Sequence, residues 1–414
     1  MKDEILSNLN NPGQLERLYR QDRPNFRRTF NALYPDLKGQ LVSGFWHERL
    51  NFAGEELSWG TNRELIFVVF ASLLAGIIAK TPALFHIDED FFYPRNIGFI
   101  LFPMLTAYFA WKNKLSPGRI WFIAVAVLAA LIFMNALPDI QKSDTLILSC
   151  IHVLPFLWCI LGLAYVGDTQ NNQEKRLNFL KYNGDLIVMT SLIVIAGGIL
   201  TGLTLGLFSL IGLNIEEFWG EYVVIFGLPT APILASYLIQ ANPHLVGKVS
   251  PVIARLFSPL VLVMLVVYLI AIVYTGKDPY NDREFLLVFN ALLAGVMVII
   301  FFSLAGAWNK EKSRAEIWVL FLLSEVTAIV NCVALSAILF RISEWGITPN
   351  RAAVLGGNVL MLINLIMVIV QLFGVVSRRK DISAVSRAIT SYLPVYFIWA
   401  IIVTFIFPLI FGFA

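Results

Sequence analysis

Residues 317–340 read IWVLFLLSEVTAIVNCVALSAILF and residues 352–376 read AAVLGGNVLMLINLIMVIVQLFGVV, with RISEWGITPNR (341–351) between them. Each apolar run is long enough to cross a bilayer as a helix, which takes about 20 residues. Only helices and closed barrels satisfy their backbone polar groups in lipid, and these runs are continuous rather than alternating. The segment therefore predicts two membrane helices joined by a tight turn.

The rest of the 414-residue chain has the same character. It is 58% hydrophobic and only 14% charged, whereas soluble domains carry about 25% charged residues. The sequence predicts an all-α polytopic membrane protein of about eleven spans, residues 63–414, behind a small helical domain, residues 1–62. The expected spans are 65–82, 97–111, 119–137, 145–166, 186–212, 219–240, 253–275, 285–307, 316–342, 351–376 and 391–413.

Charge in the connecting segments predicts the orientation of these spans. Taken together, the even-numbered loops hold more basic than acidic residues and the odd-numbered loops more acidic than basic ones, and the ninth loop, 341–351, is the exception. Cytoplasmic loops carry an excess of Lys and Arg. We therefore expect a bacterial inner-membrane protein with a cytoplasmic N-terminus and an external C-terminus. Because residues 1–62 are polar, we expect the first apolar run to act as an uncleaved insertion signal.

The N-terminal domain carries a basic cluster. Apolar residues in LERLYRQDRPNFRRTFNALYPD (15–36) recur at helical spacing, and the arginines between them are Arg17, Arg20, Arg23, Arg27 and Arg28. One interpretation is a solvated helix face near anionic headgroups. The other is a docking surface for an acidic cytoplasmic protein.

The turn in RISEWGITPNR (341–351) follows helix-end chemistry. Gly346 suits the left-handed conformation that ends a helix, Thr348 is a good N-cap, and Pro349 suits the first helical position. We therefore expect one helix to end near Trp345 and the next to begin near Pro349. The charged residues at this outer-face hairpin are Arg341, Glu344 and Arg351.

A tight antiparallel turn also predicts which residues of the two helices face each other. The residue numbers of two facing positions should have a constant sum. The expected pairs are then Asn331 with Asn364, Ser324 with Gln371, and Ile338 with Gly357. Small residues and amide pairs hold membrane helices together. One interpretation of this polar seam is therefore packing, and the other is a polar path between the two helices.

The hairpin resembles a bacterial family of multispan membrane proteins catalogued as domain of unknown function four-one-five-three. The resemblance covers the membrane part and is clearest over 315–376. The matching positions are Arg341, Glu344, Gly346, Thr348 and Arg351, and Trp345 stands where another aromatic residue is expected. The resemblance implies a multispan helical fold and no particular activity.

Two further features are candidates for function inside the membrane. Glu325 is the one acidic residue well inside a predicted span, and such a residue is costly unless it is protonated, paired or wetted. It either titrates during a working cycle or forms a neutral hydrogen bond to Gln371. In FGLPTAPIL (226–234), Gly227, Pro229 and Pro232 predict an interrupted helix, a feature that binds ions or substrates in transporters.

The sequence contains no nucleotide-binding, metal-binding, nucleophile-elbow or nucleic-acid recognition motif. No motif therefore selects one function, and three functional hypotheses remain. The first is a transport- or channel-like protein. The second is a noncatalytic membrane subunit, scaffold or sensor that docks a cytoplasmic partner. The third is a membrane enzyme that acts on a lipid-linked substrate at the outer face, held by Arg341 and Arg351. No cofactor or metal is indicated, the bilayer is the expected environment, and a homo-oligomer is compatible with the sequence.

Overall fold

The computed structural model describes residues 2–9, 11–51, 61–140, 143–167, 173–210 and 214–242, short pieces between 258 and 303, and residues 314–413. All the regular elements among these residues are helices. The chain divides into two compact units, Met1–Ser58 and Trp59–Ala414.

The N-terminal unit consists of four short helices around an aromatic core. Helix α1 is Lys2–Ser7, α2 is Pro12–Gln21, α3 is Arg23–Leu33 and α4 is Leu41–Asn51, with a 3₁₀ turn at Tyr34–Leu37. Phe26 and Phe30 of α3 are fully buried, and the Trp46 ring lies 5.2 Å and 6.3 Å from theirs. The apolar residues that recur at helical spacing in the sequence therefore form this core.

The second unit contains the long apolar helices. They are α5 Asn62–Ala79, α7 Glu89–Lys112, α8 Pro117–Ala136, α9 Asp144–Val166, α10 Gln173–Leu210, α11 Glu216–Ala241, α12 Arg314–Trp345, α13 Pro349–Val376 and α14 Ser383–Ile410, with a short α6, Thr81–Phe85, after α5. Among the described residues, eight of these helices are long and apolar enough to cross a membrane. Most of the predicted seventh and eighth spans (253–275 and 285–307) lies outside the described residues.

Two helices differ in extent from the predicted spans. Helix α7 covers the second span but begins at Glu89 and is not one of the eight, since charged residues and two prolines lower its hydropathy. Helix α10 begins at Gln173, in a stretch predicted to be a loop before 186. Its first turns are amphipathic, and Leu177, Phe179 and Tyr182 are buried there, so tertiary packing stabilises helix in a polar segment.

The helices of the second unit pack around two main hydrophobic cores. The larger core joins residues of α5, α7, α8, α9 and α11, and the other joins α12 and α13 to the beginning of α14. Hydrogen bonds at the helix ends agree with an antiparallel arrangement. Lys80 meets Glu221 at 3.4 Å and Arg95 meets Asp139 at 3.1 Å at one end, which we call the acidic end.

The opposite end of the unit is the basic end. Lys112 meets Glu64 at 3.2 Å there, and Arg119 donates to the carbonyl of Gly167. Basic residues at or beside the described loops of this end are Lys112, Lys114, Arg119, Arg378, Arg379 and Lys380. In the described part of the unit, these residues lie at the end opposite the two ion pairs of the acidic end.

Candidate functional site

The hairpin between α12 and α13 has the geometry predicted from the sequence. Gly346 has a φ of +74°, and its N–H donates to the carbonyl of Ile342 at 2.9 Å. The Thr348 hydroxyl accepts the Arg351 N–H at 3.3 Å. Helix α12 ends at Trp345 and α13 begins at Pro349, so both predicted helix boundaries are confirmed.

The arginines of the hairpin bind the hairpin itself. Arg351 donates from Nη1 to the carbonyls of Trp345, at 2.9 Å, and Gly346, at 2.7 Å. The guanidinium carbons of Arg341 and Arg351 lie 5.5 Å and 5.7 Å from the Trp345 ring centroid, within cation–π range. Glu344 is exposed. These contacts give Arg351 a structural role in the last turn of α12.

The predicted pairing across the α12–α13 seam is wrong. Asn331 donates from Nδ2 to the carbonyl of Asn358 at 3.1 Å, six residues from the expected partner Asn364. Asn364 instead donates to the Tyr396 hydroxyl of α14 at 3.1 Å. A constant sum assumes straight helices in a fixed rotation, and it ignores the third helix, α14, which packs on α13.

The other two predicted pairs are also replaced. Ser324 donates to the carbonyl of Leu320 in its own helix, which is how hydroxyls are commonly satisfied in membrane helices. Gln371 accepts from the Lys380 ammonium at 2.6 Å. The atom nearest to a Cβ placed on Gly357 would be Nε1 of Trp399, 4.0 Å away, and not Ile338.

The seam nevertheless contains a buried group of amides with unused hydrogen-bonding capacity. We call Asn331, Asn358 and Asn364 the amide cluster, and their exposed fractions are 0%, 1% and 0%. Asn331 Oδ1, Asn358 Nδ2 and Asn364 Oδ1 are buried and have no hydrogen-bond partner among the described residues. A buried polar atom without a partner costs about 1–3 kcal/mol, so this arrangement is expensive for packing alone.

Glu325 lies on α12, six residues before Asn331, and is partly buried. No hydrogen bond or ion pair joins it to another described residue. The expected neutral bond to Gln371 is wrong, because Gln371 lies within reach of Lys380 at the end of α13. The Glu325 carboxyl group therefore does not bond to the Gln371 amide.

The predicted interruption at Gly227, Pro229 and Pro232 is wrong as well. The chain is helical throughout Glu216–Ala241, and a wider π-helical segment occupies Trp219–Val224 before an α-helical segment from Ile225. Proline removes one backbone donor, and the Thr230 hydroxyl donates to the carbonyl of Phe226 at 2.7 Å. The helix therefore continues through both prolines.

The N-terminal basic cluster is only partly described. Arg17 and Arg20 are exposed on α2, and Arg20 donates to Glu16 at 2.9 Å. Glu16 also meets Arg49 of α4 at 2.9 Å. The remaining cluster residues lie on α3 with side chains outside the described set, namely Arg23, Arg27 and Arg28.

Two cavities lie at the basic end of the helical bundle. The first has a volume of about 480 Å³, and the residues important for its chemistry are Arg119, Arg176, Trp158, Phe179, Leu393 and Phe397. The second, of about 490 Å³, is more polar and is lined by Gln371, Lys380, Asp381 and Arg387 among others. Glu325 lines neither of them.

The first cavity, which we call the basic-end cavity, lies among residues that no sequence motif brings together. Arg119 and Arg176 were visible only as positively charged loop residues. They lie near the starts of α8 and α10, and α9 and α14 supply the apolar wall between them. No local signal in the sequence indicates that these four helices meet.

The long apolar helices and the charge separation define the class as an α-helical multi-pass membrane protein. No family model, curated protein or solved structure matches the chain. The resemblance of the hairpin to domain of unknown function four-one-five-three therefore stays a prediction.

Proposed function

We propose that the second unit is a transport- or channel-like protein whose polar path runs through the amide cluster between α12 and α13. The observation that carries this proposal is the unused hydrogen-bonding capacity of Asn331, Asn358 and Asn364. Two acceptors and one donor at full burial suit a polar solute or a hydrated ion. They also suit a second conformation in which the helices exchange partners.

A second amide pair in the same unit supplies an internal contrast. Asn96 of α7 and Asn135 of α8 bond to each other reciprocally, with both donor–acceptor distances at 2.9 Å. Each amide thus uses both its oxygen and its nitrogen, as expected of a side chain that serves helix packing. The three amides of the amide cluster form no such reciprocal pair among the described residues, and this difference supports a role beyond packing.

Accessibility to water tests the proposal without knowledge of the solute. Asn331→Cys and Asn364→Cys would be made after replacing the native cysteines, with Val330→Cys and Leu365→Cys as neighbours of equal burial, all 0% exposed. In native membranes, we expect a small water-soluble thiol reagent to label the two asparagine positions at least about tenfold faster. Equally slow labelling of all four positions would refute a polar path.

Glu325 is proposed to line the same path. It is partly buried on α12, and a carboxyl group inside a membrane helix is costly unless water or a partner reaches it. We expect Glu325→Cys to be labelled about as fast as Asn331→Cys by the same reagent. Labelling as slow as at Val330→Cys would make Glu325 structural.

The proposed orientation places the basic end in the cytoplasm of a bacterial inner membrane, on the basis of the loop charges. Ser7→Cys and Asp88→Cys, both exposed positions, test it with an impermeant thiol reagent in intact cells. We expect labelling at position 88 and none at position 7. The reverse pattern would invert the topology.

A noncatalytic subunit that docks a cytoplasmic protein is the second candidate function. It is favoured by the N-terminal unit, which has its own buried core and exposes Arg17 and Arg20. If the unit docks an acidic protein, Arg17→Glu should abolish co-purification of that protein while leaving labelling at Asn331→Cys unchanged. Unchanged co-purification would remove the charge-based docking hypothesis.

A further inference from the structure

The basic-end cavity is chemically two-sided. Its apolar wall runs along α9 from Trp158 to Val166, about 12 Å of helix, and continues on α14 at Leu393 and Phe397. Arg119 and Arg176 line it together with Gly167, the residue that follows the last turn of α9. The positive charge is therefore concentrated at the basic end, and the apolar wall extends from there into the bundle.

Arg176 retains charge and donor capacity toward the cavity. Its Nη1 donates to the carbonyl of Thr390 at 3.4 Å, which uses one of five guanidinium N–H donors and does not neutralise the charge. None of the described residues that line the cavity is acidic. An anionic group would therefore complement the charge of Arg176.

We propose that the basic-end cavity binds an anionic phospholipid, with the phosphate at Arg176 and an acyl chain along α9 and α14. Arginine binds phosphate oxygens in a bidentate manner, and basic pockets between membrane helices on the cytoplasmic side bind anionic headgroups. The volume of about 480 Å³ is typical of a small-ligand pocket. The apolar wall favours a lipid over a soluble phosphate, which would leave that wall in water.

The wall is accessible from the side of α14. Pro394 lines the cavity and is exposed, and Leu393 and Phe397 are only partly buried. Gly162 of α9 also lines the cavity, and a Cβ there would lie 3.0 Å from the Phe179 ring. This close contact sets the position of the aromatic ring beside the proposed acyl chain. The site is independent of the amide cluster and of the transport proposal.

Lipid titration of the purified full-length protein in detergent tests the proposal by native mass spectrometry. Phosphatidylglycerol and phosphatidylcholine of the same acyl chains would be compared on the wild type, Arg176→Gln and the matched control Arg379→Gln. Arg379 is an exposed arginine in the same basic end, outside the cavity lining. We expect Arg176→Gln to weaken phosphatidylglycerol binding at least about tenfold and Arg379→Gln to change it less than about twofold.

Further arms separate charge, folding and a soluble ligand. Arg176→Lys keeps the charge but loses the bidentate geometry, so its phosphatidylglycerol binding should lie between that of the wild type and that of Arg176→Gln. Thermal unfolding of each variant reports whether it folds. Glycerol phosphate at millimolar concentration should not displace the lipid. Equal binding of both lipids, equal loss in the two glutamine variants, or displacement by glycerol phosphate would each overturn the proposal.

Discussion

Gly356 offers a sharp test of the packing between α13 and α14. A Cβ placed on Gly356 would lie 2.0 Å, 2.2 Å and 2.8 Å from three atoms of the Trp399 ring. Ordinary contact begins near 3.4 Å, so the ring would have to retreat by roughly 1.4 Å. Gly357 is the matched control, because its Cβ would meet a single Trp399 atom at 4.0 Å.

The expected magnitude follows from two opposing terms. Replacing glycine by alanine within a helix gains about 1 kcal/mol from helix propensity at either position. Overpacking a filled site costs about 1–3 kcal/mol, and only Gly356→Ala incurs that cost. The free energies of unfolding of the two variants should therefore differ by about 1–3 kcal/mol, with Gly356→Ala the less stable.

Thermal unfolding in detergent, followed by tryptophan fluorescence, measures this difference. We expect the midpoint of Gly356→Ala to lie at least about 2 °C below that of Gly357→Ala. Trp399→Leu removes the obstructing ring, so Gly356→Ala should cost less in that background. Equal midpoints for the two alanine variants, or the same cost with and without Trp399, would refute the reasoning.

Three further expectations concern other parts of the chain. Asn96→Ala and Asn135→Ala should each lower the free energy of unfolding by about 1–2 kcal/mol. The double variant should lower it by clearly less than the sum, because both substitutions break one reciprocal pair. Additive shifts of the thermal unfolding midpoint would contradict this. Thr348→Ala should cost about 1 kcal/mol through loss of the N-cap of α13, measured in the same assay, where an unchanged midpoint would contradict it. The Arg20 guanidinium lowers the pKa of Glu16 from its ordinary value of 4.5, so this contact stabilises above the unfolded-state pKa and is lost as pH falls through the lower folded-state pKa. The protection factors of α2 amides, corrected for intrinsic exchange, should fall on acidification in the wild type and fall less in Glu16→Gln. Identical profiles would contradict this.

Local chemistry was enough to predict the turn between α12 and α13 and the presence of most of the described long apolar helices. The turn at Gly346 and the start of α13 at Pro349 follow from conformations that these residue types adopt on their own. The buried positions of the N-terminal core follow from helical periodicity, as Phe26 and Phe30 illustrate. Hydropathy predicted the long apolar helices because the cost of an unpaired backbone in lipid is a property of each segment.

The partners of polar side chains were decided by tertiary structure. Asn364 bonds to Tyr396 of α14, a helix outside the α12–α13 hairpin, and α11 continues through Pro229 and Pro232. Arg119 and Arg176 line one cavity only because α8, α9, α10 and α14 meet at the basic end. The sequence by itself determined the turn between α12 and α13 and the apolar segments that form helix, since those preferences are local. The structure decided which helices meet and what each polar group contacts, since rotation and offset between helices depend on all their neighbours together.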